Sequence, residues 1–153
     1  MSTLNLTPEP EQEKIVGDNH ELISQAKSGA NWFYWIAGLS VVNSLIYLSG
    51  ADWAFFAGLA ITQIIEGFFQ AIAEETGISA FHFFGVMLDM AVAAVFVMFG
   101  YFARRGAKWA FLLGMILYGL DGIIYLLFGS FIAVAIHAFA LYSLFNGFQS
   151  SRD

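Results

Sequence analysis

Three acids and one histidine lie deep inside long apolar stretches of this chain, where ionisable side chains are rarely found. They are Glu66, Asp89, Asp121 and His137. Counting along helices at 1.5 Å per residue from the ends of the stretches places them very roughly 10 Å from one membrane face, with Asp89 a little deeper. We therefore predict that four helices bring these side chains together in one polar layer.

The apolar stretches contain no Lys or Arg, so the layer needs another source of positive charge. Ionised carboxylates at such a depth cost on the order of a few kcal/mol each. Three solutions are open: protons on the acids, a bound cation, or a basic group from a partner chain. His137 could share or relay a proton near neutral pH. Reversible protonation is typical of coupled carriers, so we favour a proton-coupled cation or small-solute transporter or binder.

A metal centre is another use of the same residue types, because carboxylates and imidazole suit zinc, manganese or iron. His82 precedes Asp89 by two helical turns, which makes His82, Asp89 and His137 a candidate ligand set. The unequal depths of the two histidines disfavour haem. The chain has no cysteine and no hydrolase or phosphate-loop motif, so a metal-dependent membrane enzyme ranks third and a non-enzyme is favoured.

The polar residues could instead hold the helices together by interhelical hydrogen bonds. Asn43, Gln63 and Tyr118 share apolar stretches with other polar residues at helical spacing, and we predict that they support the acidic layer. On this interpretation the protein is a non-catalytic accessory or scaffold subunit of a larger membrane complex, and a partner's basic residues pair with its acids. This is the runner-up to the transport hypothesis.

Five apolar stretches must position these residues: 31–49, 53–73, 80–103, 109–128 and 131–148. With 59% hydrophobic and 12% charged residues, the chain is too apolar for a soluble globule of 153 residues. Each stretch is about long enough to cross a bilayer as a helix. We predict an all-α, polytopic membrane bundle of five transmembrane helices over residues 31–149. An acidic tail of residues 1–30 precedes the bundle and contains a short interfacial helix over residues 19–28. A tail of residues 150–153 follows the bundle.

A faint internal similarity links residues 43–48 to 121–126 and residues 66–68 to 146–148. It raises the hypothesis of an inverted repeat, in which spans one and two correspond to spans four and five.

Basic residues near the span ends predict the orientation. Five alternating spans place four basic residues on one side and two, Lys14 and Lys27, on the other. The four are Arg104, Arg105, Lys108 and Arg152. The positive-inside rule then makes the loop with three basic residues cytoplasmic and the N-terminus external, in a plasma or inner membrane.

The partners that we expect are the lipid bilayer and either further copies of this chain or a partner membrane subunit, because so thin a bundle can hardly enclose a polar layer alone. The net charge of −6 argues against binding to nucleic acid.

Overall fold

The computed structural model of the protein describes residues 10–49 and 58–151. These residues form five helices and no strand, which confirms the all-α class. The helices are α1 (Pro10–Leu48), α2 (Ala60–Thr76), α3 (Ala80–Arg104), α4 (Lys108–Leu127) and α5 (Phe131–Ser150). The short helix predicted over residues 19–28 is part of α1, which continues without a break into the predicted first span. The start of the predicted second span, residues 53–57, lies outside the described residues.

Three helices of the described chain, α3, α4 and α5, are long and apolar enough to cross a membrane. Their surfaces are apolar as well: Leu127, Phe128 and Phe131 are each more than 70% exposed. A soluble protein rarely exposes such side chains together, whereas lipid tails accommodate them without cost. The prediction of a membrane protein is therefore confirmed at this level.

The hydrophobic core lies where α1 packs against α3, α4 and α5. The ring of Phe33 is fully buried, and its centroid is 6.0 Å from those of both Phe99 and Phe111. Further along α1, Ser44 contacts Asp89 of α3. Phe33 lies beside Phe99 and Ser44 beside Asp89, so the residue numbers fall along α3 as they rise along α1. The two helices therefore run antiparallel.

α2 runs in the same direction as α1. The Leu59 amide donates to Ser40 Oγ at 3.1 Å, and the Tyr47 hydroxyl donates to the Glu66 carbonyl oxygen at 3.3 Å. From the first contact to the second, the residue number rises by the same amount in both chain segments. α2 therefore begins beside the middle of α1 and points the same way.

This parallel arrangement is incompatible with five spans that alternate in direction, which require α1 and α2 to be antiparallel. It also removes the basis of the inverted repeat. Gly122 of α4 packs against His137 of α5, and Gly119 lies near Leu141, so α4 and α5 form an antiparallel pair that α1 and α2 do not match. Apolar segments share residue types by composition alone, and this explains the similarity in sequence.

The loop between α3 and α4 and the N-terminal half of α1 lie at the same end of the bundle, because Lys27, Arg104 and Arg105 line one pocket. Lys14 lies further toward the start of α1, and Lys108 begins α4. All the described Lys and Arg residues are therefore at this end, which we call the basic end. The predicted placement of Lys27 and Arg104 on opposite sides was wrong, because it assumed alternating spans.

The fold predicts which chain segments share a membrane side. Cysteines introduced singly as Gln12→Cys and Ala107→Cys should show the same accessibility to an impermeant thiol reagent in intact cells, and Thr76→Cys the opposite accessibility. The chain has no native cysteine to interfere. A permeant reagent provides the control for reactivity. Labelling in which Gln12→Cys matches Thr76→Cys would contradict the parallel arrangement of α1 and α2.

Candidate functional site

The first turn of α2 is buried in the bundle, and its amides need acceptors. Leu59 precedes the helix, is fully buried, and has no side chain that can cap it. The cap comes instead from α4: Asp121 Oδ2 accepts the Ala60 amide at 2.8 Å, and Oδ1 accepts the Ile61 amide at 2.9 Å. An acid at a helix N-terminus also interacts favourably with the helix dipole. Asp121 thus acts as the N-terminal cap of another helix.

His137 is the ionisable group that lies beside this carboxylate. Its Nε2 atom lies 3.1 Å from Asp121 Oδ2, and its Nδ1 atom lies 2.9 Å from the Ala133 carbonyl oxygen. A carbonyl oxygen can only accept, so Nδ1 carries a hydrogen. The Nε2···Oδ2 contact is a hydrogen bond when one further proton lies on either the imidazole or the carboxyl group, and the pair then has no net charge.

Aromatic and small residues fix the position of this pair. The ring of Tyr118 stacks on that of His137 with centroids 4.1 Å apart. The Gln63 amide donates to the Tyr125 hydroxyl at 2.7 Å, which ties α2 to α4 a turn further on. Asn43 is buried and packs against Gly58, where the Cβ of any other residue would collide with its amide. The predicted supporting residues Asn43, Gln63 and Tyr118 therefore surround the start of α2.

Glu66 and Asp89 form a second pair, on α2 and α3. Both side chains are buried, with 5% and 1% of the residue exposed, and the two carboxyl groups lie within hydrogen-bonding reach of each other. Ser44 Oγ contacts Asp89 Oδ2 at 3.3 Å. Two oxygens, Glu66 Oε1 and Asp89 Oδ1, receive no hydrogen bond from a donor in the described part of the chain. Buried oxygens of this kind are rare in folded proteins, and each calls for an explanation.

His82 lies above this pair. Its Nδ1 atom is 3.0 Å from the hydroxyl of Tyr47, which also reaches the Glu66 main-chain oxygen. The separation of His82 from Asp89 along α3 is about 10 Å at 1.5 Å per residue. His82 therefore lies between the acid pair and the α2–α3 turn, without a direct contact to either carboxyl group among the described interactions.

The structure divides the predicted layer into two levels. Glu66 lies roughly 9 Å along α2 from Ala60, the residue that Asp121 caps. The prediction of one layer was wrong because it assumed that all helices end at the same height. Measured from the level of Asp121, α2 extends roughly 24 Å further and α4 only roughly 9 Å. Residues that are equally many positions from the ends of their helices therefore lie at different depths.

The candidate metal ligands are not brought together either. His137 pairs with Asp121, His82 contacts Tyr47, and Asp89 faces Glu66. Across residues 10–49 and 58–151, no group of three His, Asp or Glu side chains could hold a metal ion.

Comparison with known proteins found no matching family model, and neither the curated proteins nor the solved structures gave a significant match.

The capping role of Asp121 predicts a local effect of its substitution. Asp121→Asn keeps the shape but leaves one oxygen for two amides, so the free energy of unfolding should fall by about 2 kcal/mol. Hydrogen exchange at the start of α2, measured by mass spectrometry of peptides that contain residues 59–62, should become faster. Glu66→Gln is the matched control and should leave this exchange unchanged. Equal exchange in Asp121→Asn and the unmodified protein would contradict the capping role.

Proposed function

We propose that the Glu66–Asp89 pair binds and releases a proton, and that this exchange is coupled to the passage or binding of a cation or small solute across the membrane. The observation that carries the proposal is the pair of facing, buried carboxyl groups whose Glu66 Oε1 and Asp89 Oδ1 atoms receive no hydrogen bond from a donor among residues 10–49 and 58–151. The Asp121–His137 pair is left out of the exchanging site because all its contacts are already made within the protein.

Charge supports a proton or a cation at this pair. Two ionised carboxylates side by side in a medium of low polarity repel each other, and each also loses the solvation that water provides. Within the described residues, the one ion pair that involves a buried acid joins Asp121 to His137. No basic side chain of the described chain therefore compensates the charge of Glu66 or Asp89. A proton shared between them, or a small cation, removes this cost. The lack of a third ligand in the described chain favours the proton.

A row of polar side chains along α2 supports access to the pair from the end that carries the α2–α3 turn. Glu66, Gln70 and Glu74 follow one another at spacings of four residues, which places them on one face of the helix. Glu66 is buried, whereas Gln70 and Glu74 are exposed and joined by a hydrogen bond of 2.9 Å. The row covers about 12 Å at 1.5 Å per residue. A proton or cation entering there meets polar groups along the whole distance.

The proposed topology has four crossing helices, α1, α3, α4 and α5, with α2 beginning inside the bundle. This replaces the five alternating spans. The described basic residues are all at the basic end, so the positive-inside rule places that end in the cytoplasm. The loop with Arg104 and Arg105 and the start of α1 are then both cytoplasmic, and the acid pair lies toward the outside of a plasma or inner membrane.

An accessory subunit of a larger complex is the second candidate, and a groove between α1 and α5 favours it. Hydroxyl and amide groups line this groove of about 340 Å³, including Gln25, Ser28, Asn146 and Gln149. In a membrane such groups can bind the polar face of a partner helix. On this interpretation the partner also supplies a basic group to Glu66 and Asp89.

Proton movement in vesicles tests the proposal. The protein is reconstituted with a trapped pH-sensitive dye, and Na⁺ and K⁺ gradients are imposed in turn. Glu66→Gln and Asp89→Asn should each remove most of the ion-driven proton movement, and the double variant should lose little more, because the two residues act on one proton. Glu74→Gln removes an exposed acid from the same helix and should leave most of the movement intact.

Two results would contradict the proposal. One is proton movement that persists in the double variant at the level of the unmodified protein. The other is vesicles that show no movement at all while a membrane subunit co-purifies with the unmodified protein and is lost from Glu66→Gln, which would establish the accessory role instead.

A further inference from the structure

A second concave site lies at the basic end of the bundle, far from the acid pair. Its volume is about 300 Å³, at the lower end of the range for small-ligand sites. Three segments form it: the α1 turn with Ile23, Ala26 and Lys27, the α3–α4 connection with Arg104 and Arg105, and the end of α5. We call this site the basic pocket.

The basic pocket concentrates positive charge in a chain that is acidic overall. The protein has six Lys and Arg residues and a net charge of −6, yet three of the six, Lys27, Arg104 and Arg105, line this one pocket. Within residues 10–49 and 58–151, no acidic side chain lines it. Arg104 lies in the last turn of α3, where the helix dipole favours a cation. That explanation does not extend to Lys27 or Arg105, which come from another helix and from beyond the end of α3.

The surroundings of the basic pocket resemble the boundary between lipid and water. The Arg105 guanidinium lies 4.2 Å above the centre of the Tyr101 ring, which holds its charge beside an exposed aromatic side chain. Tyr101 and Trp109 are 45% and 47% exposed at this end of α3 and α4. Exposed Tyr and Trp are enriched at the level of the lipid headgroups. The anions that are abundant at this level are the phosphate esters of lipids.

We propose that the basic pocket binds the phosphate ester of an anionic phospholipid headgroup. Lys27 reaches the phosphate from α1, and Arg104 and Arg105 reach it from the α3–α4 connection, so the lipid links the first helix to the second half of the bundle. Guanidinium groups suit phosphate because they can donate two parallel hydrogen bonds. Ile23 and Ala26 form the apolar wall against which the less polar part of the headgroup region packs. The site is independent of the Glu66–Asp89 pair.

Lipid binding by the full-length protein tests this assignment. Purified protein in a neutral detergent is titrated with phosphatidylglycerol or phosphatidylcholine, and binding is followed by native mass spectrometry and by the shift in melting temperature. Phosphatidylglycerol should bind more tightly and raise the melting temperature. Each of Lys27→Gln, Arg104→Gln and Arg105→Gln should weaken its binding about five-fold, and the triple variant about a hundred-fold.

Lys14 and Lys108 are not among the residues that line the basic pocket, so they offer a control of equal charge for the double variant Arg104→Gln and Arg105→Gln. That pocket variant should weaken phosphatidylglycerol binding about 25-fold, whereas the double variant Lys14→Gln and Lys108→Gln should keep the affinity within about three-fold of the original. Helical circular dichroism and the melting temperature in detergent alone verify that each variant is folded. Equal loss in both double variants, or no preference over phosphatidylcholine, would overturn the proposal. Protection by inorganic phosphate alone that equals protection by the lipid would also overturn it, in favour of a site for free phosphate.

Discussion

The fold depends on the contact by which Asp121 caps a helix that begins inside the bundle. Away from water, the first amides of α2 would each cost several kcal/mol without an acceptor. Asp121 accepts two of them, Ser40 accepts the Leu59 amide that precedes them, and the His137 imidazole lies within hydrogen-bonding distance of the same carboxyl group. Because α2 can start at this depth, it runs parallel to α1. That direction in turn brings the start of α1 and the α3–α4 loop to one end.

The two carboxyl pairs differ in what surrounds them, and this difference supports two roles. Asp121 accepts a main-chain amide at each oxygen, and its Oδ2 atom also contacts His137, so both oxygens are already engaged within the protein. Glu66 and Asp89 face each other and retain an oxygen each that nothing in the described chain satisfies. Changing the protonation of this second pair therefore breaks fewer contacts. The proposed function accordingly gives a structural role to the first pair and proton exchange to the second.

Composition and apolar length were sufficient to predict an all-helical membrane protein, because lipid imposes the same demand on every spanning segment. They also identified all four buried ionisable residues, since few such side chains are tolerated at that depth. They could not predict which of these four side chains pair with each other. Asp121 binds the main-chain amides of residues 60 and 61 as well as His137. Every residue except proline has a main-chain amide, so residue types do not indicate which amides a carboxyl group binds. The direction of α2 follows from that same contact, so the count of alternating spans and the supposed repeat failed together.

Infrared difference spectroscopy of the protein in lipid bilayers, recorded as the pH is changed, tests the division between the two pairs directly. The carboxyl stretching band separates protonated acids from ionised ones, and it can be assigned with single variants. The account predicts a band that changes with pH, that is lost in Glu66→Gln and in Asp89→Asn, and that persists in Asp121→Asn. A band that changes with pH and is lost only in Asp121→Asn, or buried acids that give no change between mildly acidic and mildly alkaline pH, would contradict it.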